Sequence, residues 1–554
     1  MIRPAAARQR LDKPSAVSVD CGDISMAVIH AVSSGPEKEY IDITPAIQAE
    51  YEFQMANSGD RRHSTIMRDY LLVYINGRRH LIRGADCWLT LSDFLRGRLG
   101  LVGTKIVCSE GDCGSCTVLV GEPAGDHLEY RSIDSCIALM FQLDGRHIVT
   151  VDGLGGSEEL TPVQQSLVGC HASQCGFCTP GFVMSMTGLL EESRQLGEED
   201  WRQGLTGNLC RCTGYVSIFE AGKQLGDLQV QSLNDRYPPE AILTDLAAES
   251  QAPFGIETEI YGQPGRLFGP TRLSDALEFL ERNSSAKVVA GATDVGVQIN
   301  KGVIAPSVVL DLNRIESLRD AGIEHGDHGP ILIAGARATW SQIETICREA
   351  IPEFARIVSV FGSPQIRHMA TIGGNIINAS PIADCLPFLL VMEAELELCS
   401  DRGKRVVPIT EFYLAYKQFD LRPGELLAQI RVPLPSGGQR LGLYKVSRRR
   451  DLDISTFTAA ILMELEDDRI GDVRFALGAV GPTVVRARKT EAFLKGKMLD
   501  EATMRAAGEV AASEIAPISD VRGAADYRYQ LTRNVLMKFY HQQQVSEARE
   551  IIHV

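Results

Sequence analysis

The stretch Cys108-Ser109-Glu110-Gly111-Asp112-Cys113-Gly114-Ser115-Cys116 sets three cysteines in a C-x4-C-x2-C run, and Cys136 follows after nineteen more residues. This is the spacing at which one tight loop and one distant thiolate hold a 2Fe-2S cluster. All three loop thiolates must point inward while backbone N–H groups approach the sulfurs. Gly111 and Gly114 permit that path, because a residue without Cβ can take positive φ. Zinc prefers paired CxxC knuckles or mixed Cys/His ligands, and no second pair lies close behind Cys116.

Upstream, LLVYINGRRHLI (71–82) alternates about Asn76-Gly77, the strongest short hairpin signal. A helix is expected in LTLSDFLRGRLG, with Leu91, Phe94 and Leu95 on one face. The cysteine loop therefore belongs to a small sheet with one helix, a plant-type ferredoxin arrangement.

A second constellation follows. SQCGFCTPGFVMS gives Cys175 and Cys178, and NLCRCTGY gives Cys210 and Cys212 after thirty-one intervening residues. Phe182, Val183, Met186, Leu189 and Leu190 form an apolar stripe behind Cys178, so this pair starts a helix, whose positive end favours thiolates. Alone, CxxC suggests a redox disulfide or half a zinc site. CGFCTPG with a downstream CRCTGY, in a helical segment after a ferredoxin-like one, resembles the iron-sulfur half of the xanthine dehydrogenase and aldehyde oxidase family of molybdenum hydroxylases. The resemblance implies a second 2Fe-2S cluster nearer molybdenum, with Gln174 at the position that touches molybdopterin. One departure is that Val216-Ser217 follow CRCTGY where the family commonly has Arg-Pro.

No GxGxxG opens a helix after a strand, so a Rossmann reading is weak. KVVAGATDVG instead places a tight loop after a strand, where successive N–H groups can form an anion nest. About seventy residues later, ATIGGNIINASPIADCLP brings paired glycines and polar side chains. The two segments in this order resemble the same family's flavin domain. That implies FAD between them, with Lys287, Val288, Val289, Ala290, Gly291, Ala292, Thr293 and Asp294 on the pyrophosphate side. Thr371, Gly374, Asn375 and Asp384 are implied on the other. Phe361 falls beside the isoalloxazine position, although residue type alone allows a core aromatic. Tyr416 falls near the nicotinamide position, and Lys445 begins a loop near the flavin in which Leu452 stands where relatives often have a carboxylate.

The fold class expected is α+β and multidomain. Residues 1–68 form an extension without assigned role, 69–152 a ferredoxin-like β-grasp domain and 153–228 a four-helix 2Fe-2S domain. A Pro- and Gly-punctuated linker covers 229–264, an FAD-binding α+β domain 265–437, a C-terminal α/β subdomain 438–545 and a tail 546–554. A chain of 554 residues has room for several cores. Its formal charge of -15 disfavours nucleic acid as a partner. No apolar run is long enough to cross a bilayer, and the start lacks the apolar core of a secretory signal, which points to the cytoplasm. The six cysteines outside the constellations (Cys21, Cys87, Cys170, Cys347, Cys385, Cys399) read as small buried hydrophobes.

Through the resemblance, electrons are expected to pass from a molybdopterin-binding large subunit through both clusters to FAD and then NAD+, in a heterotetramer. No residue here is expected to hydroxylate substrate, and the resemblance stops where molybdopterin domains would begin. Xanthine and hypoxanthine are the family-level substrates, with another heterocycle or an aldehyde as alternatives. Rival readings are a self-contained NADH-oxidising flavoprotein and a scaffold holding structural zinc.

Overall fold

The computed structural model describes residues 67–552 except 156–158, 194, 227–229 and 327–328, with side chains to residue 544. The extension up to residue 66, Cys21 included, lies outside the described residues.

The Asn76-Gly77 turn joins the strands Leu71–Ile75 and Arg78–Ile82, and both turn residues have positive φ (50° and 76°), as a type I′ hairpin requires. Leu71–Ile75 pairs in parallel with Arg146–Val149, which in turn pairs with Thr117–Ala124 and His127–Asp134 beyond it. The helix Leu91–Gly97, capped by Thr90, lays Leu91, Phe94 and Leu95 on this five-stranded β-grasp sheet. His147 is buried in the sheet. Its Nε2 accepts from the Gly77 N–H at 3.0 Å, so its proton is on Nδ1, 2.7 Å from the Tyr130 hydroxyl. Burial lowers the His147 pKa to about 4.

Four helices, Pro162–Gly169, Thr179–Glu192, Glu198–Gly204 and Val216–Leu225, close around Leu167, Phe182, Met186, Trp201 and Ile218. Pro180 stands in the first turn of its helix, where its missing N–H is not needed.

Residues 230–264 are more ordered than a surface linker. Pro239 begins the helix Pro239–Glu249, and the strand Phe254–Ile260 turns at Tyr261-Gly262 (φ 53° and 73°) into Gln263–Gly269. The helix is tied to the β-grasp sheet, since Asp245 accepts from the Tyr74 hydroxyl at 2.8 Å and from Arg79 Nε at 2.6 Å. Arg68 forks onto buried Asp144 at 3.0 and 2.7 Å and also reaches the Ala252 carbonyl.

Gln263–Gly269, Val308–Asp311 and Lys287–Val289 run parallel in one sheet. An antiparallel five-stranded sheet lies beyond it, in the order Ala321–Gly326, Gly329–Gly335, Leu426–Pro433, Glu395–Ser400, Gly403–Pro408. The last piece is antiparallel too, with Gln439–Val446, Phe457–Glu466 and Arg469–Gly478 covered by the helices Glu501–Ala512 and Ala525–Ile552. That final helix runs through the boundary expected at 545. The fold is thus α+β and multidomain.

Candidate functional site

The eight motif cysteines gather as two quartets, and no described cysteine is in a disulfide. In the first, Cys108 is hydrogen-bonded to Cys113 and Cys136, and Cys116 to Cys136. Those thiol donors, with the N–H groups of Glu110 and Asp112 at 3.5 and 3.4 Å from its sulfur, hold Cys108 well below the usual thiol range. Cys113 and Cys136 are pushed up, first by the same bonds to Cys108 and then by burial. Gly111 and Gly114 have φ of 74° and 65°, and a Cβ on Gly114 would sit 2.3 Å from the Gly207 carbonyl oxygen. Both expectations for these glycines are met by the geometry.

In the second quartet Cys178 is paired with Cys210 and Cys175 with Cys212. Burial raises Cys178 to about 12. Burial opposes the charged form of Cys210, but bonds from the Thr213 hydroxyl (3.1 Å) and N–H (3.5 Å) overcome it and lower its pKa. Among the described residues no three His, Cys, Asp or Glu side chains converge on a point that one metal ion could occupy. A diiron unit asks for less, a pair of thiolates on each iron, and both quartets offer pairs. In donor chemistry the residues fit two 2Fe-2S clusters.

The two sites differ in exposure. Cys116 and Cys136 are buried with Ile137 beneath Val297 and Ile366 of the flavin segment. Cys175 and Cys212 are exposed, as is Gln174 beside them. The same helical domain exposes the apolar side chains Val168 (63%), Phe177 (50%) and Val216 (70%). The quartets are joined through backbone, because the Leu209 N–H, next to Cys210, donates to the Cys113 carbonyl at 3.0 Å. A Cβ on Gly181, in the helix behind Cys178, would lie 2.1 Å from the Gly114 carbonyl oxygen. Gln365 completes the junction. Its buried amide lies 3.2, 3.2 and 3.1 Å from Thr117, Ser185 and Asn208, so one side chain meets all three segments.

The loop after Lys287–Val289 turns at Ala292 (φ 53°), and Ala292 and Val289 are buried. The Ala290 carbonyl accepts from Gln142, in the helical turn Met140–Leu143 of the β-grasp domain, at 2.8 Å. Gly291 packs so tightly that a Cβ would be 2.0 Å from the Met369 carbonyl oxygen, which brings this loop against the residues just before Thr371. Thr371 caps the helix Ile372–Asn378 by accepting from the Gly374 N–H at 3.1 Å. Lys287, Val288 and Thr293 are half-buried and Asp294 is exposed. The turn Tyr416-Lys417 also reaches this region. Lys417 donates to Asn378 Oδ1 at 2.7 Å; burial lowers its pKa, Asp294 opposes that, and the like charge of Lys287 lowers it further. Two ammonium groups of like charge beside a loop that turns at positive φ suit a diphosphate, so the residues fit FAD in this respect.

The other flavin expectations are placed as follows. Phe361 packs edge-on against Trp340 with centroids 5.4 Å apart, so it serves the core on that side. Tyr416 is 58% exposed. Asn375 Oδ1 accepts from the Cys385 thiol at 2.9 Å. Each oxygen of the Asp384 carboxylate accepts one bond from the protein, from Lys445 (2.6 Å) and from Ser455 (2.5 Å). Lys445 also donates to the Val360 carbonyl at 3.1 Å, so this buried pair fixes the backbone that carries Phe361. Asp384 and Lys445, expected separately, thus meet as an ion pair that braces the site's frame. A cavity of about 720 Å³ between the three segments is lined by Glu122, Arg146, Arg319, Arg337 and Arg367; of the flavin candidates only Gly291 and Thr371 touch it, so it lies behind the loop.

Lys417, Gln365 and the Leu209 N–H are missing from the expected set. Each makes its contact outside its own segment, and although Leu209 stands inside NLCRCTGY, nothing in that motif marks its N–H as a link to Cys113. Cys170 is half-buried, unlike the buried Cys87, Cys347, Cys385 and Cys399.

Four family models match in chain order. These are the 2Fe-2S iron-sulfur cluster binding domain (73–140), the 2Fe-2S binding domain (150–223), the FAD binding domain in molybdopterin dehydrogenase (263–435) and the CO dehydrogenase flavoprotein C-terminal domain (442–543). The xanthine dehydrogenase of Emericella nidulans is 30% identical over 85% of this chain and 38% of its own length. Xanthine dehydrogenase 1 of Arabidopsis thaliana is 29% identical over 85% of this chain and 39% of its own. A solved carbon monoxide dehydrogenase from Hydrogenophaga pseudoflava is 28% identical over 49% of this chain and 94% of that one, with a TM-score of 0.47. The chain spans less than half the length of the curated relatives it matches.

Proposed function

As the chain belongs to the molybdenum hydroxylase family, whose iron-sulfur and FAD-binding domains it carries in order, we propose that it is the electron-transfer subunit of a xanthine dehydrogenase. It works beside a large subunit that holds molybdopterin and oxidises hypoxanthine and xanthine to urate, in a heterotetramer. The observation that carries this is the contrast between the quartets. At one, Cys175 and Cys212 are exposed, and at the other, Cys116 and Cys136 are buried against Val297 and Ile366 of the flavin segment.

When bound, the clusters and FAD supply one-electron acceptance and, at the flavin, hydride release to NAD+. Cys175, Cys178, Cys210 and Cys212 hold the entry site, where Gln174, Val168, Phe177 and Val216 meet the partner's surface. The Leu209 N–H to Cys113 carbonyl bond fixes the spacing between sites. Cys108, Cys113, Cys116 and Cys136 hold the inner site, where Val297 and Ile366 cover Cys116 and Cys136. Lys287, the 290–294 loop and Lys417 seat the diphosphate of FAD. Lys445 and Asp384 hold the Phe361 segment, and exposed Tyr416 stands toward the nicotinamide. Substrate choice belongs to the partner, and the xanthine dehydrogenases among the relatives support purines. No described helix is long and apolar enough to cross a membrane.

The test is purification of the native complex, with metal, sulfide and flavin analysis followed by anaerobic addition of xanthine. About four irons per chain, flavin bleaching by xanthine and recovery with NAD+ are expected. Bleaching by an aldehyde or another heterocycle alone would reassign the substrate. Full turnover by a chain without a molybdenum partner would refute the subunit reading.

A further inference from the structure

The helix Val295–Asn300 leaves the candidate diphosphate loop and ends on the inner quartet. There Asn300 Nδ2 donates to the Ser109 carbonyl at 2.9 Å and the Cys136 carbonyl at 2.8 Å, which uses both of its N–H groups. Lys301, the next residue, pairs with Glu110. The Ser109 carbonyl belongs to the same peptide as the Glu110 N–H, which points at the Cys108 sulfur from 3.5 Å. Ser109 reaches this arrangement only at a φ of 56°, a conformation that a residue with a Cβ keeps when its surroundings hold it there.

On the reading of this quartet as a cluster site, we propose that Asn300 is a positioning residue that sets the inner cluster's reduction potential. By gripping the Ser109 carbonyl it holds the Glu110 N–H on the Cys108 sulfur, and by gripping Cys136 it fixes the opposite ligand. An N–H aimed at a ligand sulfur favours the reduced, more negative state. Losing Asn300 lets Ser109 relax and turns that N–H away, so the cluster becomes harder to reduce.

The experiment is a dithionite titration of full-length protein with assembled clusters, followed by electron paramagnetic resonance, for wild type, Asn300→Ala and Asn300→Ala combined with Ser109→Gly. Iron and sulfide contents are measured on every sample. One of two midpoints should fall in Asn300→Ala by about tenfold in the reduction equilibrium, about 59 mV for one electron, while the other stays. Ser109→Gly should recover part of the shift, because glycine takes positive φ unaided. Unmoved midpoints at wild-type iron content would overturn the proposal and leave the cluster reading standing, as would a shift that Ser109→Gly does not reduce. Loss of iron from Asn300→Ala that Ser109→Gly also fails to restore counts against it equally. Wild-type protein without two iron-sulfur signals would remove the cluster reading first, and this proposal with it.

Discussion

Gly296→Ala tests whether the flavin segment's grip on the inner quartet controls electron flow. Gly296 lies in the helix Val295–Asn300 with ordinary helical backbone, so alanine by itself would stabilise the helix by about 1 kcal/mol. Its new Cβ would stand 2.2 Å from the Ile137 carbonyl oxygen, whereas ordinary contact begins near 3.4 Å, so helix and ligand loop must part by about 1.2 Å. The atoms struck are backbone, and no side chain can swing aside. Overpacking of this kind costs about 1–3 kcal/mol and outweighs the propensity gain. A separation of that size also breaks the 2.8 and 2.9 Å bonds of Asn300. In rapid mixing of the reduced protein with its acceptor, electron exchange between inner cluster and flavin should slow by a few-fold, because electron transfer weakens exponentially with the added separation. Gly322→Ala, with no atom within 4 Å of the added Cβ, is the control. Wild-type exchange rates in Gly296→Ala, with iron and flavin retained, would refute the idea that this contact sets the spacing.

Gly114→Ala imposes a Cβ at φ 65° and 2.3 Å from the Gly207 carbonyl oxygen, so purified protein should hold about half the wild-type iron; full iron content would contradict the close approach. Lys417→Ala should weaken FAD retention about tenfold, the worth of one charge-assisted hydrogen bond, and dialysis against apoprotein followed by flavin fluorescence measures it; unchanged affinity removes Lys417 from the site. His147, lowered by burial from 6.5 to about 4, takes up its proton more readily when unfolded, so stability present above pH 6.5 is lost as pH falls through 4. The loss amounts to about 3 kcal/mol; hydrogen exchange of the β-grasp amides should show this slope flattened in His147→Gln, and equal slopes would place the titration elsewhere.

Local signals in the sequence led to the structures that local physics determines. Asn76-Gly77 announced a turn with two positive φ values, the 182–190 stripe faces a core, and the motif cysteines pair off within two quartets. The stretch around Pro238-Pro239 misled because two prolines read as breakers, yet the second begins a helix where its missing N–H goes unnoticed. Asp384 reads from sequence only as a polar residue near a loop, and the fold alone brings Lys445 and Ser455 to its two oxygens. Gln365, Asn300 and Lys417 were beyond reach for the same reason. Their meaning lies in partners such as Thr117, Cys136 and Asn378, contributed by distant segments, and nothing in a polar residue's own neighbourhood announces such a meeting.

The burial of Cys116 and Cys136 under Val297 and Ile366 dictates a sequence of events during maturation. The covering residues are synthesised more than 150 positions after the thiols they enclose, so nascent chain offers iron and sulfide a temporary opening that later folding shuts. Loading of that inner centre belongs before closure, whereas Cys175 and Cys212 stay within a donor's reach until a partner docks. Protein recovered from iron-starved cells should therefore be repaired faster at its outer centre than at the inner one, two of whose ligands lie buried.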